Sequence, residues 1–225
     1  AKTINSLSEY NVNVIKLTSI FSTEKDYVFK GIQVKIFKVI DFPFFIFPGF
    51  FHKINAIRII RFFKSRGLSK NLKVLHAHVC YPGAYLANSL STQFRAKIFV
   101  QHHGLDVLQL LNCRFSILRK LQRKYLIRRS LDILNMIGSN IGVSNKVINM
   151  LNIFPDYIPS NEYVLYNGVD RTKFYDLNLP KKNKDFTIGC VANFWETKNH
   201  IGLIKAIELL ILDGFIDIKL KLVGN

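Results

Sequence analysis

The sequence predicts an α/β protein with parallel β-sheets and helices packed on both of their faces. Short apolar or alternating runs recur along the 225 residues, and longer stretches with helical periodicity lie between most of them. Hydrophobic residues make up 49% of the chain, enough for a sizeable core. Strands and helices that alternate in this way form parallel sheets covered by helices, so these observations predict an α/β fold.

The individual elements follow from the same patterns. Predicted strands cover residues 12–17, 74–79, 97–101, 141–144, 163–166, 186–192 and 218–223. Pro82 suits the first turn of a predicted helix at 83–94, and Gly67 suits the end of another at 52–64. The second helix has one apolar face, formed by Ala56, Ile59, Ile60 and Phe63.

Cysteine usage argues against a protein held together by disulfides or thiolate-bound zinc, and hydropathy argues against a membrane-spanning protein. Cys80, Cys113 and Cys190 are far apart and form no CxxC pair, so we expect neither a disulfide framework nor a thiolate zinc site. This pattern of cysteines predicts that the protein resides in the reducing cytosol. The most apolar stretch, 42–51, is about half the roughly 18 to 20 residues of a membrane-spanning helix.

The chain ends and one polar segment predict the domain organisation. The opening residues are typical of a helix leading into the strand at 12–17, and the chain closes just after the strand at 218–223. We therefore expect a fragment that lacks a first strand and a final portion. The charged, proline-bearing segment 177–186 predicts a boundary between domains at 1–180 and 181–225.

Polar and glycine residues follow the predicted strands at the places where ligands bind in parallel sheets. Ligands in open α/β folds lie beyond the carboxyl ends of the strands, and glycine there allows close backbone approach. The stretches at these positions are "HAHVCYPG", "HHGLD", "GVSN", "YNGVD" and "ANFWETKNH".

These motifs, in this order, resemble a known enzyme family. "VLHAHVCYPGAYLANSL", "VQHHGLDV", "IGVSNKVINML", "LYNGVDRTKF" and "IGCVANFWETKNHIGLIKAIELL" look like the retaining GT-B glycosyltransferases of family four. The resemblance implies two Rossmann-like domains facing each other across a cleft, the first for the acceptor and the second for a nucleotide sugar. This chain would hold most of the first domain and the start of the second.

The resemblance also implies roles for individual residues. Asn193 stands where the family usually has an arginine that grips the donor diphosphate together with the later lysine. The paired-glutamate motif is expected beyond residue 225 and the glycine-rich loop before residue 1, so the chain alone is expected to be inactive. The implied residues are His103 and Lys198 for catalysis; Asn193, Lys198, Gly104, Asp106 and Ser144 for the donor; His78, Tyr81 and Gly83 for the acceptor; and Asn167, Gly168 and Asp170 as a hinge.

The chemistry of glycosyl transfer explains why such residues are needed. Negative charge builds up on the departing diphosphate. Lys198, and the N-terminal amides of a helix predicted to begin just beyond it after "KNH", are the candidates to stabilise that charge. His103 would hydrogen-bond the donor sugar, and Asp106 would orient its loop or cap the helix beginning at Val107. No metal and no cofactor is expected, and the chain contains no Asp-x-Asp motif of a metal-dependent GT-A enzyme.

Each of these residues also has a structural interpretation. Four histidines suggest zinc, but the pairs lie at i, i+2 and i, i+1 on strands, where we expect one member of each pair to point away from the other. His76 and His102 are interpreted as packed or surface residues, and His78 as an acceptor contact or a structural residue. Asp106 and Ser144 could instead cap helices, and Asn167 with Gly168 could form a plain turn. Lys198 could be an ordinary solvated side chain.

The distribution of charge favours an anionic surface as a partner. The net charge is +17, and between residues 42 and 131 sixteen lysines and arginines face a single acid, Asp106. Beside the aromatic run 42–51, this basic face predicts peripheral attachment to the inner face of the plasma membrane. The alternative is a lysine-rich composition without function.

The sequence therefore predicts a cytoplasmic glycosyltransferase that uses a nucleotide sugar and a sugar or lipid-linked acceptor, as in bacterial cell-surface polysaccharide or glycolipid synthesis. Two alternatives stay open: a GT-B epimerase or hydrolase of nucleotide sugars, and a basic nucleic-acid-binding protein. Nucleic acid is disfavoured as a partner because neither arginines interleaved with stacking aromatics on one strand face nor a helix-turn-helix is visible.

Overall fold

The chain forms two compact units, Ala1–Gly168 and Val169–Asn225. A computed structural model describes residues 11–42, 47, 49–104, 119–175 and 186–225. The domain boundary that the sequence predicts, between residues 180 and 181, lies outside the described residues and stays a prediction.

The first unit begins with a three-stranded sheet. Its strands are β1 (Val14–Ser19), β2 (Tyr27–Phe29) and β3 (Ile32–Val39), in the order β1-β3-β2. β1 runs parallel to β3, and β2 pairs with β3 as an antiparallel hairpin. The sequence analysis predicted β1 but missed this hairpin, because β2 has only three residues and all of them are exposed. Alternating burial at Ile32, Val34 and Ile36 is the signal that could have revealed β3.

The same unit contains an all-parallel sheet of four strands. These are β4 (Val74–His78), β5 (Lys97–His102), β6 (Ser139–Gly142) and β7 (Glu162–Val164), in the order β4-β5-β6-β7. The helices in the described residues of the unit are α1 (His52–Ser65), α2 (Tyr85–Phe94), α3 (Arg119–Met136) and α4 (Asn145–Leu151). The predicted fold class is thus confirmed at the level of a mixed α/β unit with a parallel sheet, as in Rossmann-like domains.

Two hydrophobic clusters hold the first unit together. The larger joins β5 to α3 and the start of α2, with Tyr85, Val100 and Leu134 fully buried. The smaller packs α1 and α2 against β3, and it includes Ile59 and Phe63, two residues of the face that the sequence predicted for α1. The strands of the parallel sheet are thereby fixed in register, so their carboxyl ends form one edge.

The second unit is a strand–helix–strand element. β8 (Phe186–Val191) and β9 (Ile218–Val223) are parallel, and α5 (His200–Leu212) connects them after a 3₁₀ turn at Glu196–Lys198. The helix that the sequence predicts after "KNH" is therefore confirmed, although only Ile207 of it is buried among the described residues. Across the described residues, no helix combines the length and the apolar character that crossing a membrane requires.

Candidate functional site

A row of three histidines lies at the carboxyl edge of the four-stranded sheet. His76 and His78 belong to β4, and His103 follows β5 directly. The parallel register places His78 opposite Gln101, which brings His103 next to His78. The imidazole rings are stacked: the ring centroids of His76 and His78 are 4.7 Å apart, and those of His78 and His103 are 5.2 Å apart. All three side chains keep enough exposed surface for a ligand to reach them, although His76 and His78 are partly covered.

His78 and His103 are joined by a direct hydrogen bond. Nδ1 of His78 lies 2.9 Å from Nε2 of His103, so one ring donates its N–H and the other accepts. Partial burial lowers the pKa of His78, and the neighbouring His76 and His103 lower it further. Partial burial also lowers the pKa of His76. His76 and His78 are therefore neutral near pH 7, and such imidazoles can both donate to and accept from a hydroxyl group.

The expected orientation of the first histidine pair was wrong. Side chains at i and i+2 of a strand point to the same face, so His76 and His78 stack instead of diverging. His76, which the sequence analysis treated as packed or surface-exposed, belongs to the exposed row. Among the described residues, no group of three or more His, Cys, Asp or Glu side chains is arranged to hold a metal ion.

His102 has the opposite environment from its neighbour His103. It is completely buried, and its Nε2 lies 3.2 Å from Oδ1 of Asn140. Asn140 in turn donates from Nδ2 to the carbonyl of Leu134 at 3.0 Å. This chain of hydrogen bonds ties the end of β5 to β6 and α3, so the interpretation of His102 as a packed residue is confirmed.

Tyr81 and Gly83, predicted on the acceptor side, support the end of β4. The Tyr81 hydroxyl donates to Oδ2 of Asp41, and burial raises the pKa of the tyrosine far above its usual value. Gly83 is buried, and a Cβ there would lie 2.5 Å from the backbone oxygen of His78. Burial also raises the pKa of Asp41, which follows β3; the sequence analysis missed this residue together with its strand.

The remaining donor-side residues of the first unit have mixed outcomes. Gly104 has a φ of +96°, which suits glycine in the turn after β5. Ser144 caps α4, its Oγ accepting the backbone N–H of Val147 at 3.4 Å, as one interpretation of the sequence proposed. Asp106, and with it the start of the helix expected at Val107, lies outside the described residues.

In the second unit, Lys198 is exposed in the turn that precedes α5. Asn199 caps the helix by accepting the backbone N–H of Gly202 at 3.2 Å, and Asn193 is exposed just after β8. No carboxylate lies within salt-bridge distance of Lys198 in the described parts of the chain. Lys198 is therefore a cation near a helix N-terminus, an arrangement suited to an anion.

The predicted hinge residues lie where the two units divide. The first unit ends at Gly168, directly after Asn167. Asp170 closes a turn, with its Oδ1 accepting from the backbone N–H and the hydroxyl of Thr172 at 3.1 and 2.7 Å. A Cβ at Gly168 would meet nothing within 4 Å, so packing does not require glycine there.

Comparison of the chain with protein-family models gives no match, and comparison with curated proteins gives none either.

Proposed function

We propose that the chain is part of a retaining glycosyltransferase that moves a sugar from a nucleotide sugar to a sugar or lipid-linked acceptor. The observation that carries this proposal is the exposed His78–His103 pair at the carboxyl edge of a parallel sheet, where α/β proteins bind ligands. The order of the five motifs supports the same class of reaction. The acceptor belongs to cell-surface polysaccharide or glycolipid synthesis on the cytoplasmic side.

In this proposal, two kinds of side chain bind the two parts of the donor, the sugar and the diphosphate. A sugar offers hydroxyl groups, which neutral imidazoles bind without charge, and His103 is the residue assigned to them. The diphosphate gains negative charge as the bond to the sugar breaks, and Lys198 with the N-terminal amides of α5 is assigned to stabilise it. Both assignments use the residues' own chemistry, with no metal or cofactor.

Product analysis with the natural full-length protein tests this reaction. The protein is incubated with a panel of nucleotide sugars and candidate acceptors, and nucleoside diphosphate release and glycosylated product are both measured. Release coupled to product formation is expected. Release without any acceptor product would indicate a hydrolase, and an altered nucleotide sugar without release would indicate an epimerase. Nucleic-acid binding with a steep salt dependence and no sugar turnover would favour the third class.

A second proposal, attachment to an anionic membrane, rests on an aromatic cluster beside a basic helix. Phe42 packs against Phe50 and Phe51 at 5.3 and 5.0 Å between ring centroids, and Phe47 meets Tyr125 of α3 at 6.0 Å. Phe50 is 60% exposed. The neighbouring side chains on α3 include three exposed cations, Arg123, Lys124 and Arg128.

Such a surface combines two contributions to membrane binding. Each cation near an anionic bilayer adds about 1 kcal/mol, which salt weakens, and an inserted ring adds a part that salt does not weaken. Reversing Arg123, Lys124 and Arg128 to Glu should abolish sedimentation with vesicles whose anionic lipid is phosphatidylserine. Reversing Lys146, Lys205 and Lys221 changes the net charge equally and should not, and Phe50→Ser should remove the salt-resistant part. Equal binding to neutral and anionic vesicles, or to neither, would contradict the proposal.

A further inference from the structure

A basic groove of about 810 Å³ lies in the first unit between β3 and α1, and none of the three histidines lines it. Five basic and two acidic side chains line it, an excess of three positive charges. The charged residues are Glu24, Lys25, Asp26, Lys38, Arg58, Arg61 and Arg66. The sequence analysis did not predict this groove, because its residues come from three separate stretches, 24–26, 36–38 and 58–66, and the second of these belongs to β3, which was missed.

One side of the groove is the outer edge of β3. The short strand β2 pairs only with Ile32–Val34, so the rest of this edge has no partner strand among the described residues. Two charged side chains replace it: Asp26 accepts the backbone N–H of Ile36 at 2.8 Å, and Arg58 donates from Nη1 to the carbonyl of Lys38 at 2.8 Å. These hydrogen bonds block pairing with another strand and fix both side chains in the groove.

Each acidic group of the groove already forms an ion pair that balances its charge. Glu24 pairs with Lys16 at 2.7 Å and Asp26 with Arg66 at 2.7 Å. The backbone N–H of Ile36, with further help from Arg66, lowers the pKa of Asp26, which therefore stays ionised. In the described parts of the chain, no carboxylate lies within salt-bridge distance of the remaining cations, which are Lys25, Lys38, Arg58 and Arg61.

Two of the three arginines of the groove, Arg58 and Arg66, are held in place before any ligand arrives. The guanidinium of Arg58 lies 5.4 Å from the centre of the Phe37 ring, and its Nη1 is also 3.1 Å from Oδ1 of Asn55. Arg66 lies over Phe62 at 5.4 Å. A guanidinium has five N–H donors, so these contacts leave donors for a ligand. Because these two side chains are already ordered, their part in binding costs less conformational entropy.

We propose that this groove binds phosphate groups. Arginine forks match phosphate oxygens in pairs, and unpaired lysine and arginine side chains supply the charge that a dianion needs. Arg58, Arg61 and Ser65 follow one another along one side of α1, over roughly 10 Å at 1.5 Å per residue, which fits a ligand with two or more phosphates. The ligand is a phosphorylated lipid headgroup or a soluble polyphosphate. This site is independent of the proposed glycosyl transfer.

Calorimetric titration with inorganic tripolyphosphate at physiological ionic strength tests the site. Lys38→Gln with Arg61→Gln removes two unpaired cations that hold no structural hydrogen bond. Lys53→Gln with Lys64→Gln removes the same charge from exposed positions of α1 outside the groove. We expect the groove pair to weaken binding about tenfold or more beyond the control pair, since each charged contact is strong. Equal losses, or no saturable binding of either probe in this and the next experiment, would overturn the proposal.

A vesicle experiment separates the two sources of phosphate. Vesicles of phosphatidylcholine with and without a phosphorylated phosphatidylinositol are sedimented with the protein, in the presence and absence of tripolyphosphate. A lipid source predicts binding that tripolyphosphate competes away and that the groove pair loses more than the control pair. A soluble source predicts tripolyphosphate binding with no difference between the two pairs on vesicles.

Discussion

The two units carry contrasting polar groups after their parallel strands. In the first, His78 and His103 form a hydrogen-bonded imidazole pair, and burial favours the neutral form of His78. In the second, Lys198 is an exposed cation before the capped end of α5. The same position in a strand–helix topology thus offers neutral donors and acceptors in one unit and positive charge in the other. The contrast teaches that the topology selects the place of a site, whereas the side chains select the part of a ligand that it can bind.

The largest expected effect tests the cationic side of this contrast. If Lys198 stabilises a departing diphosphate, Lys198→Ala in the full-length protein should lower kcat/KM for glycosyl transfer about a hundredfold, or about 3 kcal/mol. Lys205→Ala is the matched control, because Lys205 is also exposed, on α5 itself. Steady-state kinetics with the identified nucleotide sugar measures both. An unchanged rate for Lys198→Ala would remove this residue from the site.

The neutral side of the contrast predicts a smaller effect. His103→Ala should lower kcat about thirtyfold, roughly 2 kcal/mol, because a hydrogen bond to the sugar is lost while the diphosphate contacts remain. Affinity for nucleoside diphosphate and the melting temperature should stay close to those of the natural protein. His103→Gln, which keeps a donor and an acceptor, should recover part of the rate.

A chelator separates the hydrogen-bonding role of His103 from a metal-binding role. Treatment with EDTA should leave both turnover and the unfolding midpoint unchanged. Zinc measured at one equivalent in the purified protein, and lost together with activity, would show instead that the histidine row binds a metal.

The sequence predicted the architecture well where strands alternate clearly with helices. Of the nine strands in the described part of the chain, seven were predicted close to their observed bounds, as were the helices beginning near His52 and His200, because apolar periodicity marks them. The β2–β3 hairpin was missed, since β2 is short and exposed. Because β3 was not predicted, Asp41, which follows it, and the basic groove beside it were not predicted either.

The candidate site could be predicted only in part, for a reason of geometry. Polar residues after β4 and β5 are visible in the sequence, but the stacking of His76 on His78 follows from their common strand face, which the sequence analysis misjudged. The Tyr81–Asp41 hydrogen bond joins residues 40 positions apart, and no local pattern indicates it. Contacts of this kind arise from tertiary packing.

Glycine at the sheet edge provides a test of how tightly the histidine row is supported. A Cβ at Gly83 would lie 2.5 Å from the backbone oxygen of His78, so Gly83→Ala should force the end of β4 to shift and cost about 1 to 2 kcal/mol of unfolding free energy. Gly138→Ala is the matched control, because a Cβ there meets nothing within 4 Å. Urea denaturation measures both variants. Equal stability would show that this edge can adjust, and that the row is less fixed than its contacts suggest.

The smallest expected effect is the pH dependence of stability. Burial lowers the pKa of His76 and His78 below the ordinary value of 6.5, so below that pH the unfolded chain binds more protons than the folded one. The contribution of these two histidines to the free energy of unfolding should therefore be complete above pH 6.5. It should fall as the pH drops below that value. The loss is modest because both rings are partly exposed and solvent screens their charge. His76→Asn with His78→Asn should flatten this dependence between pH 7.5 and 5.5, as measured by urea denaturation. Partial burial also lowers the pKa of His52, so a smaller dependence should remain. A double variant with the slope of the natural protein would show that the histidine row takes up protons equally in both states, and the contrast between a neutral and a cationic edge would then lose its electrostatic basis.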